Sequence, residues 1–134
     1  MRFVRWLLII PTAVAAWYAA LALGVSLYVG LDALCPAEQI ISGLCVAPWH
    51  KAASAAVDCI GAGLAAALIL LACTLLAPSH RQRVAIGTFI VGAVVAIFMG
   101  FSANAFGPLV TAIVAGAAIL WILLRRLAPA SRTP

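Results

Sequence analysis

Long apolar runs alternate with three polar interruptions of unequal length, and no stretch shows the period-two alternation of a half-buried strand. A membrane-crossing helix needs about 20 predominantly apolar residues. Runs at about 3–30, 52–76, 84–105 and 108–124 meet that length. The pattern predicts an all-α bundle of four transmembrane helices forming a single integral membrane domain over 1–134. The first interruption, an outer loop at 31–51, is the longest and holds Asp32 and Glu38, two of the three acidic residues. The second is a short basic turn, Pro78 to Arg83. The third is little more than Phe106 and Gly107, with Pro108 placed to start the last helix. Having no charge at its tip, it must sit almost flush with the surface.

Local signals refine these elements. Ala13-Val14-Ala15 resembles a signal cleavage site, but apolar character continues well beyond any cut there, as an uncleaved first helix requires. Pro11 falls in the first turns of that helix, where a kink is tolerable. Trp6 and Tyr28 suit interfacial belts at its two ends. In the outer loop, Pro36 to Ser42 reads as one or two helical turns on the membrane surface, with Gly43 as a left-handed stop. Pro48 and Trp49 lead into the second span. The tail after Arg126, with two prolines and small polar residues, reads as a frayed end.

Composition settles the solvent. At 67% hydrophobic and 8% charged over 134 residues, the chain has too little polar surface for a soluble globule. The formal charge of +5 does not point to nucleic acid, because Arg2, Arg5, Arg81, Arg83, Arg125, Arg126 and Arg132 all flank the ends of apolar runs. Placed together on the cytoplasmic side, they leave Lys51 alone outside. Both termini are then expected in the cytoplasm, the outer loop faces away from it, and anionic lipid is drawn to the basic face. Heavy use of alanine and arginine suggests a GC-rich bacterial source and an inner-membrane location.

The candidate chemistry is sparse. Cys35 and Cys45 bracket the outer-loop turn in a compartment that favours oxidation, so a structural disulfide is expected. No Cys-x-x-Cys pair supports a thiol–disulfide enzyme coupled to quinone. Cys59 and Cys73 lie about 21 Å apart along one helix at a rise of about 1.5 Å per residue and cannot bridge each other. They read as small inert residues, with a minor possibility of exchange between Cys59 and the loop pair. A metal on Cys35, Cys45, His50 and Glu38 lacks any short-spaced ligand pair, and His50 and His80 fall at opposite surfaces, which disfavours haem. No cofactor and no metal are expected.

Asp58 stands out as a carboxylate inside the second span, where charge is costly and usually faces protein or water. Its helical face also holds Lys51, Ser54, Gly61, Ala62 and Ala65, and is expected to point into the bundle. On the third span Gly92, Ala96, Gly100 and Asn104 recur every fourth residue, a spacing that lets helix backbones approach. Asn104 lies at the outer end, so a polar cluster of Asp58 and Asn104 with Ser102, Ser54 or Ser26 is predicted. A second small-residue row, Ala55, Cys59, Gly63 and Ala67, gives the second span two packing faces and marks it as the centre of the bundle.

One intramembrane carboxylate, with no intramembrane basic residue and no nucleophile beside a base, does not make a catalytic site. The expectation is a non-enzymatic accessory, assembly or immunity-type subunit that binds another membrane protein, or itself, through helices and loop. Two alternatives remain: a small oligomeric proton-coupled transporter or lipid-carrier translocator using Asp58, and a membrane thiol oxidoreductase.

Overall fold

The computed structural model describes residues 7–77 and 80–127. Trp6, Arg2 and Arg5, Pro78 and Ser79 of the basic turn, and the tail with Arg132 lie outside the described residues. Four helices follow one another: α1 (Ile9–Ala33), α2 (His50–Leu76), α3 (Arg81–Ser102) and α4 (Phe106–Leu127). Each is long and apolar enough to cross a membrane. Their regularity follows from the medium they suit, since in hydrocarbon only a helix satisfies every backbone N–H and C=O within its own segment. Pro11 is the third residue of α1, where its missing N–H removes no intrahelical bond.

The connection between α1 and α2 differs from the expected surface helix. Only a single 3-10 turn forms, Ala37–Gln39, and it passes directly into a minimal antiparallel hairpin of β1 (Ile40–Ile41) and β2 (Leu44–Cys45). Ser42 and Gly43 both take positive φ, 52° and 79°, the pattern of a two-residue turn that matches the natural twist of paired strands. Gly43 is left-handed as expected, yet it turns a hairpin and does not stop a helix. Two consecutive isoleucines beside that turn favour strand over helix. Cys35 and Cys45 are joined by a disulfide across a Cα–Cα distance of 6.0 Å, with Ile40 paired to Cys45 inside the closed loop.

At the α3–α4 connection, Asn104 adopts φ 51° immediately after the helix. The Ala105 N–H reaches the Gly100 carbonyl at 2.9 Å, and the Asn104 N–H reaches Phe101 at 3.4 Å. This pair of bonds is a Schellman closure, with Asn104 as the left-handed residue in place of the usual glycine.

Packing is uneven. α2 lies against all three other helices, most extensively α4 and α1, and α3 also packs on α4. The second span is therefore central, as its two small-residue faces predict. By contrast, α1's substantial helix contact is α2. On the α2–α3–α4 side, glycines bring backbones together. A Cβ on Gly63 would meet Ala115 at 3.6 Å, one on Gly116 would meet the Phe89 ring at 3.1 Å, and one on Gly100 would strike the Leu109 Cβ at 2.9 Å. Cys73, Thr74, Ala77 and Ala85 are buried there, the Thr74 hydroxyl donating to the Leu70 carbonyl at 2.6 Å.

Candidate functional site

Asp58 lies two turns into α2, about 12 Å along the axis from its start by helical rise. Tyr28 lies a little over one turn before the end of α1. Because the two helices are joined by the outer loop and run antiparallel, the outer turns of α1 and α2 lie side by side and the two side chains meet. The Tyr28 hydroxyl donates its one proton to Asp58 Oδ1 at 2.7 Å, with the Ser54 carbonyl 3.3 Å away as a weaker acceptor. The partner predicted for Asp58 was Asn104, and the structure gives the carboxylate Tyr28 in its place. Asn104 is exposed and is used as the left-handed stop of α3. The Ser102 hydroxyl returns to the Phe98 carbonyl of its own helix at 2.8 Å, and Ser26 does the same to Ala22. The Ser54 hydroxyl bonds the Lys51 carbonyl at 3.0 Å, so Ser54 meets the site only through its backbone.

The orientation of the carboxylate also departs from expectation. Asp58 does not face the interior formed by α2, α3 and α4; it is exposed on the seam between α1 and α2. Beside it runs an open groove of about 310 Å³, lined along α1 by Trp17, Ala20, Leu21, Gly24, Val25 and Tyr28 and along α2 by Val57, Gly61, Ala62 and Ala65. One end is polar, where Tyr28 and Asp58 meet. The rest is apolar, with a floor of alanine and glycine.

The residues expected to pack helices therefore divide. Gly63 faces α4 and Gly100 meets Leu109 of α4, while Ala96 is half-buried on α3. Gly61 and Gly92 have nothing within 4 Å of a built Cβ: Gly61 opens onto the groove and Gly92 is exposed. A four-residue spacing records a face of small residues, and that face is not always occupied within one chain.

A second polar pair sits nearer the loop, where His50 Nε2 and Asp32 Oδ1 approach to 2.8 Å at the facing ends of α2 and α1. Together with the Cys35–Cys45 bridge, it ties α1 to α2 from outside the apolar spans. Cys59 faces α4, within 3.3 Å of a Cβ placed on Gly107, and Cys73 is buried, so both are oriented into helix packing. Among the described residues no group of three or more His, Cys, Asp or Glu side chains gathers where a metal ion could sit.

Tyr28 reads from sequence as an interfacial-belt residue, and its pairing with Asp58 is the part of the site that composition and depth do not indicate. The available signal was register. Helices joined by a short outer loop run side by side and antiparallel, so the last turns of α1, which hold Tyr28, face the first turns of α2, which hold Asp58. The chain matches no known protein-family model, no curated protein and no solved structure.

Proposed function

We propose that this chain is a small multi-pass subunit of a bacterial inner membrane, with both termini in the cytoplasm, that works by binding another membrane protein through its helices and outer loop. An accessory, assembly or immunity-type role fits best. The observation that carries the reading is Asp58, a carboxylate within a lipid-length helix yet exposed on its flank with Tyr28 as its hydrogen-bonding partner. A carboxylate on a lipid-facing surface is costly, and residues of this kind normally face protein or water. A neighbouring membrane protein seated over the α1–α2 seam removes that cost. The hairpin supports the same reading at the membrane surface, since Ile41, Leu44 and Val46 are exposed on a small, cross-linked element.

The test is purification from the native membrane in mild detergent, with Asp58→Asn and Tyr28→Phe variants alongside. A partner at fixed stoichiometry, weakened in both variants while the chain itself remains folded, is the expected result. A chain that is monomeric and partner-free in the membrane, established by in situ cross-linking across the seam, defeats the reading. Protease applied to intact cells should cut within the hairpin loop and leave the basic turn untouched, which checks the proposed orientation.

A second reading, a small proton-coupled transporter or lipid-carrier translocator, draws on the same groove, because it places one carboxylate beside a volume of about 310 Å³ open to the side. Substrate-dependent proton flux in proteoliposomes, lost in Asp58→Asn, would select it.

A further inference from the structure

We infer that the α1–α2 groove receives a transmembrane helix from a different protein, and that this helix carries a basic side chain at the depth of Asp58. The inference rests on the partner-binding reading and supplies the chemistry of the partner.

Charge comes first. Asp58 has no ion-pair partner among the described residues, where the sole such contact is His50–Asp32. Tyr28 supplies one hydrogen bond to one carboxylate oxygen, leaving acceptor capacity on both. Every Lys, Arg and His in the sequence flanks the end of an apolar run, so a second copy has no cation to offer at this depth. The complement of Asp58 must come from another molecule, and intramembrane charges commonly pair with one another.

Shape then selects a helix over a small amphiphilic cation. A small-molecule site encloses most of its ligand, whereas this groove is open along its side. From Tyr28 to Trp17 it spans about three helical turns, roughly 16 Å by helical rise. Its floor pairs Ala20 and Gly24 of α1 with Gly61 and Ala65 of α2, two four-residue spacings side by side. Gly24 and Gly61 have no neighbour within 4 Å of a built Cβ, so this floor is unfilled within the chain. Small residues on adjacent helices let a third backbone come close, and in lipid that close packing is a principal source of attraction between helices. The incoming basic group then meets Asp58 at the polar end while its helix lies along the apolar remainder.

The experiment reconstitutes the intact chain in liposomes with synthetic Leu–Ala transmembrane peptides and follows association by energy transfer. One peptide carries a single lysine at the depth of Asp58, and its control carries leucine there. The lysine peptide should associate about tenfold or more tightly than the leucine peptide, and Asp58→Asn should remove that preference. Ala62→Ile, which narrows the groove from its α2 wall and leaves the carboxylate intact, should weaken binding of the lysine peptide while the protein keeps its disulfide and thermal transition. Equal binding of both peptides overturns the inference while leaving helix-mediated partner binding standing. Failure of the lysine peptide together with Asp58-dependent binding of dodecyltrimethylammonium overturns it in favour of a small cation. Failure together with Asp58-dependent self-association overturns it in favour of a second copy.

Discussion

The two sides of α2 are built on different principles. Toward α3 and α4, glycines at 63, 100, 107 and 116 face side chains of neighbouring helices, and the surrounding residues include the buried Cys73, Thr74 and Ala85. Toward α1, small residues line an open groove instead, and the contact is supplemented by Tyr28–Asp58, His50–Asp32 and the disulfide loop. One side holds by shape complementarity within the chain. The other is fastened at its outer end and left open along its flank. In lipid, where apolar surface gains little by leaving the solvent, helices without close packing need such fastening. The difference is what the proposed binding role draws on, because the open seam carries a carboxylate and unengaged small residues, whereas the small residues of the packed side already meet neighbouring helices.

The largest effect should come from breaking the packed side. Gly100→Val combined with Gly116→Val places branched side chains where a Cβ alone would lie 2.9 Å from Leu109 Cβ and 3.1 Å from the Phe89 ring. Overpacking of this kind costs about 1–3 kcal/mol per site, and the two sites have separate nearest neighbours, so a loss of about 4 kcal/mol is expected. Detergent-titrated unfolding followed by circular dichroism measures it. Gly92→Ala is the matched control: Gly92 has nothing within 4 Å of a built Cβ, and alanine is the better helix former, so no loss should appear.

Next in size is the covalent fastening of the other side. Cys35→Ser with Cys45→Ser opens a loop closed across a sequence separation of 10, and the chain-entropy relation gives a loss of about 3 kcal/mol. The effect should be local. Protease sensitivity between Leu34 and Trp49 should rise sharply, whereas labelling of Cys73, buried among α2, α3 and α4, should stay slow. A variant in which both segments open together would show that the two sides of α2 do not behave separately.

How much of this was legible in the sequence follows from the range of each interaction. The four spans are long-window properties of hydropathy, so they appear at nearly the residues expected, and the end points that fall among the described residues move by at most three residues. The Cys35–Cys45 bridge was readable because the two cysteines flank one short loop. Pro36 and Glu38 favour a helical start and do produce the turn Ala37–Gln39, but Ile40 and Ile41 end it at once, so a hairpin stands where the local signals predict helix. The partner of Asp58 was missed for another reason. Depth along a span can be counted from sequence, whereas the rotation of one helix about another depends on which glycines find partners. Gly63 turning toward α4 leaves Asp58, five residues earlier, on the α1 seam.

A smaller effect is expected at the polar pair within the seam. Tyr28→Phe removes the hydroxyl that donates to Asp58 at 2.7 Å and leaves the ring in place. Interhelical hydrogen bonds in membranes average about 0.6 kcal/mol, so a loss of about 0.5–1 kcal/mol in unfolding free energy should result. Partner binding should change in the same variant, because the carboxylate loses the group that orients it toward the groove. Asp58→Asn keeps an oxygen able to accept from Tyr28 and should cost less stability while affecting binding more. Those opposite rankings distinguish a binding carboxylate from one that only locks helix order.

The smallest effect belongs to the pair at the membrane surface. His50 and Asp32 meet at 2.8 Å, but the Asp32 side chain is 64% exposed, so water and salt compete for it. Exposed ion pairs contribute about 0.2–1 kcal/mol and often nothing measurable. His50→Gln should therefore lower stability by no more than about 0.5 kcal/mol with the disulfide intact. With Cys35 and Cys45 both changed to serine, the contact must hold the outer ends of α1 and α2 without covalent help, and the same substitution should cost more. A double-mutant cycle between the bridge and His50 reads that coupling directly. Simple additivity would mean that the disulfide acts on the loop alone, whereas a positive coupling would mean that bridge and ion pair fasten one and the same end of α1.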